Sequence, residues 1–299
     1  MKKPNFFLIG GPKCGTTSLQ EYLAQNPKIF MCTPKEPCYF DSDLPWPDSP
    51  KTEREYMRLF ENANDSHMAV GEASTNYLYS AVAVEKILRF NPCAKFIVMV
   101  RNPIDMAISL HSYSVQELTE DVESFEAAWK LQEERRNGRS LPRLNYHPDF
   151  VIYGSFCKLG EQLHRLYQKV ERERVHVIVF DDLCASPEIV YRRCLEFIDV
   201  PYDRRDAFPA RNVTGKPRSQ RMHNLLATLL ALRQRLPIPR LGLDVFRRLK
   251  NLNLSPDLKR EISDGFRQEL VHYFWDDVQL LSCLVQRDLQ VWLNAKIDR

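Results

Sequence analysis

Three short runs along the chain are dominated by β-branched, aromatic and long aliphatic residues: 6–9 (FFLI), 95–100 (KFIVMV) and 175–180 (VHVIVF). Such runs predict strands buried on both faces. Residues 68–71 (MAVG) predict a weaker fourth strand. Between them, apolar positions recur at helical spacing over 17–24, 81–89, 103–113, 125–135, 158–170 and 187–198. Strand and helix alternating in this way predict an α/β fold with a central parallel sheet flanked by helices. Sheets of that kind bind ligands beyond the carboxyl ends of their strands. Chemistry is therefore expected just after Ile9, Gly71 and Val100. Downstream the pattern turns helical, near 220–235, 257–273 and 282–292. No repeat or boundary interrupts it, which predicts one domain over residues 1–299 with a helical portion from about residue 220.

Composition narrows the class. Apolar residues at 44% and charged residues at 27% give a globular balance, which excludes a disordered chain. No run approaches the roughly 20 apolar residues of a membrane span. The first apolar run has four residues, too short for a leader with its stretch of about 7–15. Reduced thiols and a cytoplasmic location are the expectation. The eight cysteines include no C-x-x-C pair and make no zinc pattern with the seven histidines, so no metal site is expected. The net charge is only +3, yet residues 204–250 hold twelve Lys/Arg against two acids. Such a block reads either as a solvated face or as a contributor to an anion site. Without a helix-turn-helix or aromatic RNA motif, nucleic acid is not the expected partner.

The clearest motif is GGPKCGTTSL, which follows the first strand and opens the first helix. Gly10 to Gly15 have the G-x-x-x-x-G spacing of a P-loop, in which backbone N–H groups at a helix start cradle phosphate oxygens. A nucleotide-triphosphate loop continues with Lys and then Ser/Thr. Here Thr16 and Thr17 stand in those places, and the lysine lies upstream as Lys13. That displacement removes the usual contact to the β/γ-phosphates and suits a group attached directly to a 5′-phosphate. Cys14 reads either as a thiol activated by the helix start or as a small residue filling a tight turn. The second motif is KFIVMVRNPIDMAISL. Asn102-Pro103 predicts a helix start, and Arg101 just before it offers a planar fork for phosphate, or equally a partner for a carboxylate.

PKCGTTSL resembles the 5′-phosphosulfate loop of sulfotransferases that use 3′-phosphoadenosine 5′-phosphosulfate (PAPS), especially their heparan sulfate and bacterial branches. The resemblance implies a P-loop-like three-layer fold and a donor site in which Lys13, Gly15, Thr16, Thr17 and Ser18 hold the 5′-phosphosulfate. It also implies that Arg101, with Ser109 eight residues later, holds the 3′-phosphate. Lys216 and Arg218, with Arg221 beside them, match a late basic loop that covers the nucleotide in that family. The product would be adenosine 3′,5′-bisphosphate. Residues 177–201 resemble the family's structural strand–helix unit.

Sulfuryl transfer needs a base for the acceptor proton and a cation for the leaving oxygen. Lys13 suits the second task. Three residues are candidates for the first. Glu36, in KEPCYF, matches the catalytic glutamate of the heparan-type motif KEPHFF, with Cys38 replacing its histidine and Lys35 beside it as a possible donor contact. Glu72, in GEASTNYL, follows the weak strand, and His111 lies two residues past Ser109. The irregular, proline-rich stretch 37–50 and residues 73–80 carry Tyr39, Phe40, Trp46, Tyr77 and Tyr79, which suit either an acceptor pocket or a core. The acceptor is expected to be a small molecule, glycan or lipid. The apolar face of 220–235 suits packing against the core, or peripheral membrane contact. A P-loop phosphotransferase and a non-catalytic nucleotide-binding protein are the alternatives.

Overall fold

The computed structural model describes residues 2–44, 46–145, 147–209, 215–217, 254–256 and 262–294. Its contacts divide the chain into two compact units. The first takes in Met1–Met106, Lys158–Asn212 and Phe274–Arg299, and the second Ala107–Cys157 and Val213–Tyr273.

The first unit holds a five-stranded sheet of β1 (Phe6–Gly10), β2 (Ile29–Met31), β3 (Ala69–Ala73), β4 (Lys95–Val100) and β5 (Val175–Val179). Their order is β2-β3-β1-β4-β5, and every pairing is parallel. Phe6, Phe7, Leu8 and Ile9 have no exposed surface, as expected for a central strand covered on both faces. Burying each such side chain contributes about 1.5–3 kcal/mol. The helices are α1 (Thr16–Ala24), α2 (Glu53–Arg58), α3 (Ala83–Phe90), α4 (Pro103–Gln116), α5 (Phe125–Lys130), α6 (Gln132–Arg136), α7 (Tyr153–Phe156), α8 (Leu159–Tyr167), α9 (Phe180–Ala185) and α10 (Pro187–Phe197). They are followed by α11 (Asp264–Val285) and α12 (Val291–Asn294). The flanked parallel sheet is the expected fold class.

Three local expectations change. The three-residue edge strand β2 was not foreseen, because IFM is too short to show a period. Phe180 opens a helix instead of closing β5. Positions 264–285 form one helix, where the sequence suggested two separate segments. The Asp276-Asp277 doublet looks like a break, but Asp277 is buried and used. Its carboxylate accepts the backbone N–H of Gly160 at 3.0 Å and of Glu161 at 2.8 Å, capping the start of α8.

In the second unit the core is a buried ion pair surrounded by aromatics. Arg135 Nη1 and Nη2 meet Glu120 at 2.7 and 2.8 Å, with both side chains fully enclosed. Tyr153 Oη donates to the same carboxylate at 2.7 Å, and Arg135 also donates to the carbonyls of Ser140 and Val151. This unit also contains a two-stranded antiparallel pair, β6 (Gly215–Pro217) with β7 (Leu254–Pro256).

Candidate active site

The turn after β1 is shaped by residues that must approach other backbone closely. Gly10 pairs with Met99, and a Cβ on it would fall 2.3 Å from the Met99 carbonyl oxygen. Gly11 N–H then donates to that oxygen at 3.1 Å. Lys13 (φ 65°) and Gly15 (φ 86°) are both left-handed, and together they reverse the chain into α1. Gly15 is the N-cap, and no side chain caps the helix. The first-turn N–H groups therefore have no intrahelical acceptor, and they lie at the positive end of the helix dipole. Thr16 and Ser18 are buried in that turn, with Lys13 and Thr17 half-exposed. Backbone N–H groups at an uncapped helix start are suited to hold an anion. Cys14 points inward, completely buried, with its Sγ 3.8 Å from Met106 Sδ. Burial pushes its thiol up to about 12 against the opposing pull of Arg101, so the tight-turn role holds and the activated-thiol role does not.

Arg101 leaves β4, the strand beside β1, at the same sheet edge. It is half-buried. Its Nη1 donates to the Lys13 carbonyl at 2.8 Å, and its guanidinium lies 4.6 Å from the Phe180 ring centroid. Among the described residues no carboxylate pairs with it. Asn102 accepts from Ile104 N–H at 3.0 Å and Pro103 starts α4, the cap and first-turn proline that the sequence suggested. Ser109 is half-exposed on α4 and belongs to the second unit. Lys216 falls on β6, while Arg218 and Arg221 lie outside the described residues, as does the 220–235 segment.

The three base candidates occupy different environments. Glu36 (φ 58°) is half-exposed in the irregular stretch after β2. Its backbone N–H donates to the Ala73 carbonyl at 2.9 Å, tying the loop to the end of β3. Its carboxylate accepts Thr75 N–H at 2.8 Å, lies 3.3 Å from the Thr75 hydroxyl and pairs with Lys35. Three donors from two loops thus fix it. Glu72 lies opposite Phe7 on β3 and has no exposed surface. Burial pushes its carboxyl up to about 8, the neighbouring Tyr56 and Tyr77 hydroxyls offsetting only part of the effect. Neither of its oxygens completes a hydrogen bond of good geometry among the described residues. His111, in the second unit, is also fully buried, with Nε2 2.9 Å from the Val122 carbonyl and its ring against Phe125 and Tyr153. Of the three, only Glu36 is open to solvent.

The aromatic stretch divides between core and surface, with Tyr39, Trp46 and Tyr79 half-buried. Phe40 and Tyr77 are buried, and Phe40 packs on Phe7, Tyr56 and Phe90. Tyr39 stacks on Tyr56 at 4.6 Å. Three residues near the chemistry escaped sequence reasoning. Asp41 closes the KEPCYFD run and is 1% exposed, its carboxyl raised to about 7 by burial. Its place in the motif was the available signal. Thr75 was signalled only by its closeness to Glu72 in sequence. Phe180 stands where β5 ends, beside Arg101 at the end of β4, where its place as the last residue of the apolar run VHVIVF gave no sign of it.

Comparison with known proteins agrees with the fold. The family model described as the sulfotransferase domain matches residues 3–225. The crystal structure of a sulfotransferase from Alicyclobacillus acidocaldarius superposes with a TM-score of 0.73 and 27% identity, covering 98% of this chain and 99% of that one. The membrane-associated sulfotransferase kil1 of Dictyostelium discoideum is 22% identical over 286 residues, 70% of this chain and 59% of its own. Human heparan sulfate glucosamine 3-O-sulfotransferase 6 is 29% identical over 128 residues, 42% of this chain and 34% of its own. The chain therefore spans less than two thirds of either curated relative. Among the described residues no helix is long and apolar enough to cross a membrane. With a domain match across most of its length and a flanked parallel sheet that superposes on a sulfotransferase, the chain belongs to the sulfotransferase domain family.

Proposed function

We propose that the protein moves a sulfuryl group from PAPS to a hydroxyl or amine of a carbohydrate, lipid or small-metabolite acceptor. The observation that carries this reading is the tie between the Arg101 guanidinium and the backbone of the turn that carries Lys13, at one sheet edge. Arg101, at the end of β4, is bonded to the carbonyl of Lys13, in the turn that ends β1. A donor with an anionic group at each end of one nucleoside matches that pairing. An ordinary nucleoside triphosphate, which needs a lysine after the second glycine, does not. The uncapped start of α1, with Lys13, Gly15, Thr16, Thr17 and Ser18, would take the 5′-phosphosulfate, and Arg101 the 3′-phosphate.

In the transfer, the acceptor atom forms a bond to sulfur as the sulfur–oxygen bond to the 5′-phosphate breaks. The electron pair leaves with the adenosine 3′,5′-bisphosphate. The acceptor proton goes to the Glu36 carboxylate, which the Thr75 N–H, the Thr75 hydroxyl and Lys35 orient. Lys13, in the turn, offers positive charge to the departing oxygen. The test is release of bisphosphate from PAPS across hydroxyl and amine acceptors. Wild type turns over. Glu36→Gln falls by about 10²–10⁴ while bisphosphate binding stays unchanged. A near-normal rate in that variant would remove Glu36 from the role of base. Bisphosphate binding with no transfer to any acceptor would favour a non-catalytic binding protein.

A further inference from the structure

β4 and β5 are in register at Val100 and Val179, so Arg101 and Phe180 are each the first residue beyond a paired strand end. They emerge side by side. The Phe180 ring has a second neighbour, Gly15, the left-handed N-cap of α1. A Cβ on Gly15 would lie 2.9 Å from Phe180 Cδ2 and 3.0 Å from Leu183 Cδ2, so the ring sits directly on the bare Cα. The guanidinium of Arg101 lies over that ring, 4.6 Å from its centroid, and its Nη1 reaches the Lys13 carbonyl at 2.8 Å. Among the described residues these two contacts are what fix it.

An arginine side chain has much rotamer freedom to lose, so pre-setting its plane lowers the ordering cost of each hydrogen bond it forms. Stacking fixes that plane and leaves the in-plane N–H groups pointing outward. The same ring braces the residue that starts α1. We propose that Phe180 is a positioning residue of the donor site, holding the Arg101 guanidinium in register with the α1 anion cradle. This rests on the PAPS reading above. It assigns Phe180 no contact with the reacting atoms. Its effect falls on whatever anion Arg101 binds.

The experiment compares calorimetric affinities for adenosine 3′,5′-bisphosphate and adenosine 5′-monophosphate at one salt concentration. The proteins are wild type, Phe180→Leu, Phe180→Met, Phe180→Tyr, Arg101→Gln and the double variant Phe180→Leu with Arg101→Gln. Phe180 is half-exposed, and the methionine variant keeps most of its bulk should the leucine one fold poorly. Losing the cation–π contact is expected to weaken the bisphosphate about tenfold and leave the monophosphate within about twofold. Phe180→Tyr restores wild-type affinity, and in the Arg101→Gln background Phe180→Leu costs nothing more. Equal losses for both ligands, or a full further loss in the double variant, would reduce Phe180 to a structural residue and overturn the proposal. A wild-type protein that fails to prefer the bisphosphate overturns the donor-site reading itself, and the role of Phe180 with it.

Discussion

Glu72 and Asp41 both lie within the sheet unit that carries Glu36, and burial favours the proton-bound form of each. Their effect on stability follows from linkage. The unfolded Glu72 carboxyl titrates near 4.5 and the folded one at about 8, so the native state holds this proton more tightly. The resulting stabilisation is complete below the unfolded value and disappears as pH rises through about 8. At one pKa unit per about 1.4 kcal/mol, a shift of this size is worth a few kcal/mol. Asp41, raised to about 7, acts with the same sign. Glu72→Gln is therefore expected to flatten the fall in melting temperature between pH 5 and 8.5, and to exceed wild type at the alkaline end. Melting curves for the two proteins that run parallel across that range would contradict this. At the same scale, Cys14 should resist alkylation in the folded protein at pH 7.5 while exposed Cys93, Cys184 and Cys283 label. Peptide mass mapping reads the difference. Preferential labelling of Cys14 would mean that its thiol is neither buried nor raised.

At the scale of elements, the readable parts were those whose signal is local. β1, β4 and β5 are legible because central parallel strands are apolar on both faces, and the start of α4 because Asn-Pro at a strand end has few other uses. The turn after β1 was legible for a similar reason: Lys13 and Gly15 take left-handed φ values within the few residues that lead the chain into α1. What the sequence hid depends on distant partners. Asp277 looks like a helix breaker until Gly160 and Glu161 arrive to use its carboxylate. Glu72 looked accessible because it follows a strand, and its burial depends on Tyr56 and Tyr77 from other segments. His111 was indistinguishable from a catalytic histidine until Phe125 and Tyr153 enclosed it. The Glu120–Arg135 pair, fifteen residues apart, gave no signal either. Removing one partner of a buried pair strands the other charge. Arg135→Met is expected to cost about 3–5 kcal/mol, read from the urea midpoint and slope. A loss below about 1 kcal/mol would show that Glu120 finds another partner or takes up a proton.

For the whole molecule, the proposed donor site is one that prefers a bisphosphate to a triphosphate. Fold and family alone do not establish that preference. It follows from where the lysine sits in the first turn and from Arg101 being tied to that turn. A ligand that binds only the native state stabilises it by about 2.7 kcal/mol at a hundred times its dissociation constant. For a chain of this size that is a rise of about 4 °C in melting temperature. The most direct measurement is thermal unfolding in adenosine 3′,5′-bisphosphate, ATP and GTP at matched concentration and ionic strength, without magnesium and then with it. The account predicts a shift of that order with the bisphosphate, lost in Arg101→Gln, and little with either triphosphate under both conditions. Stabilisation by ATP or GTP that equals or exceeds that of the bisphosphate would contradict it.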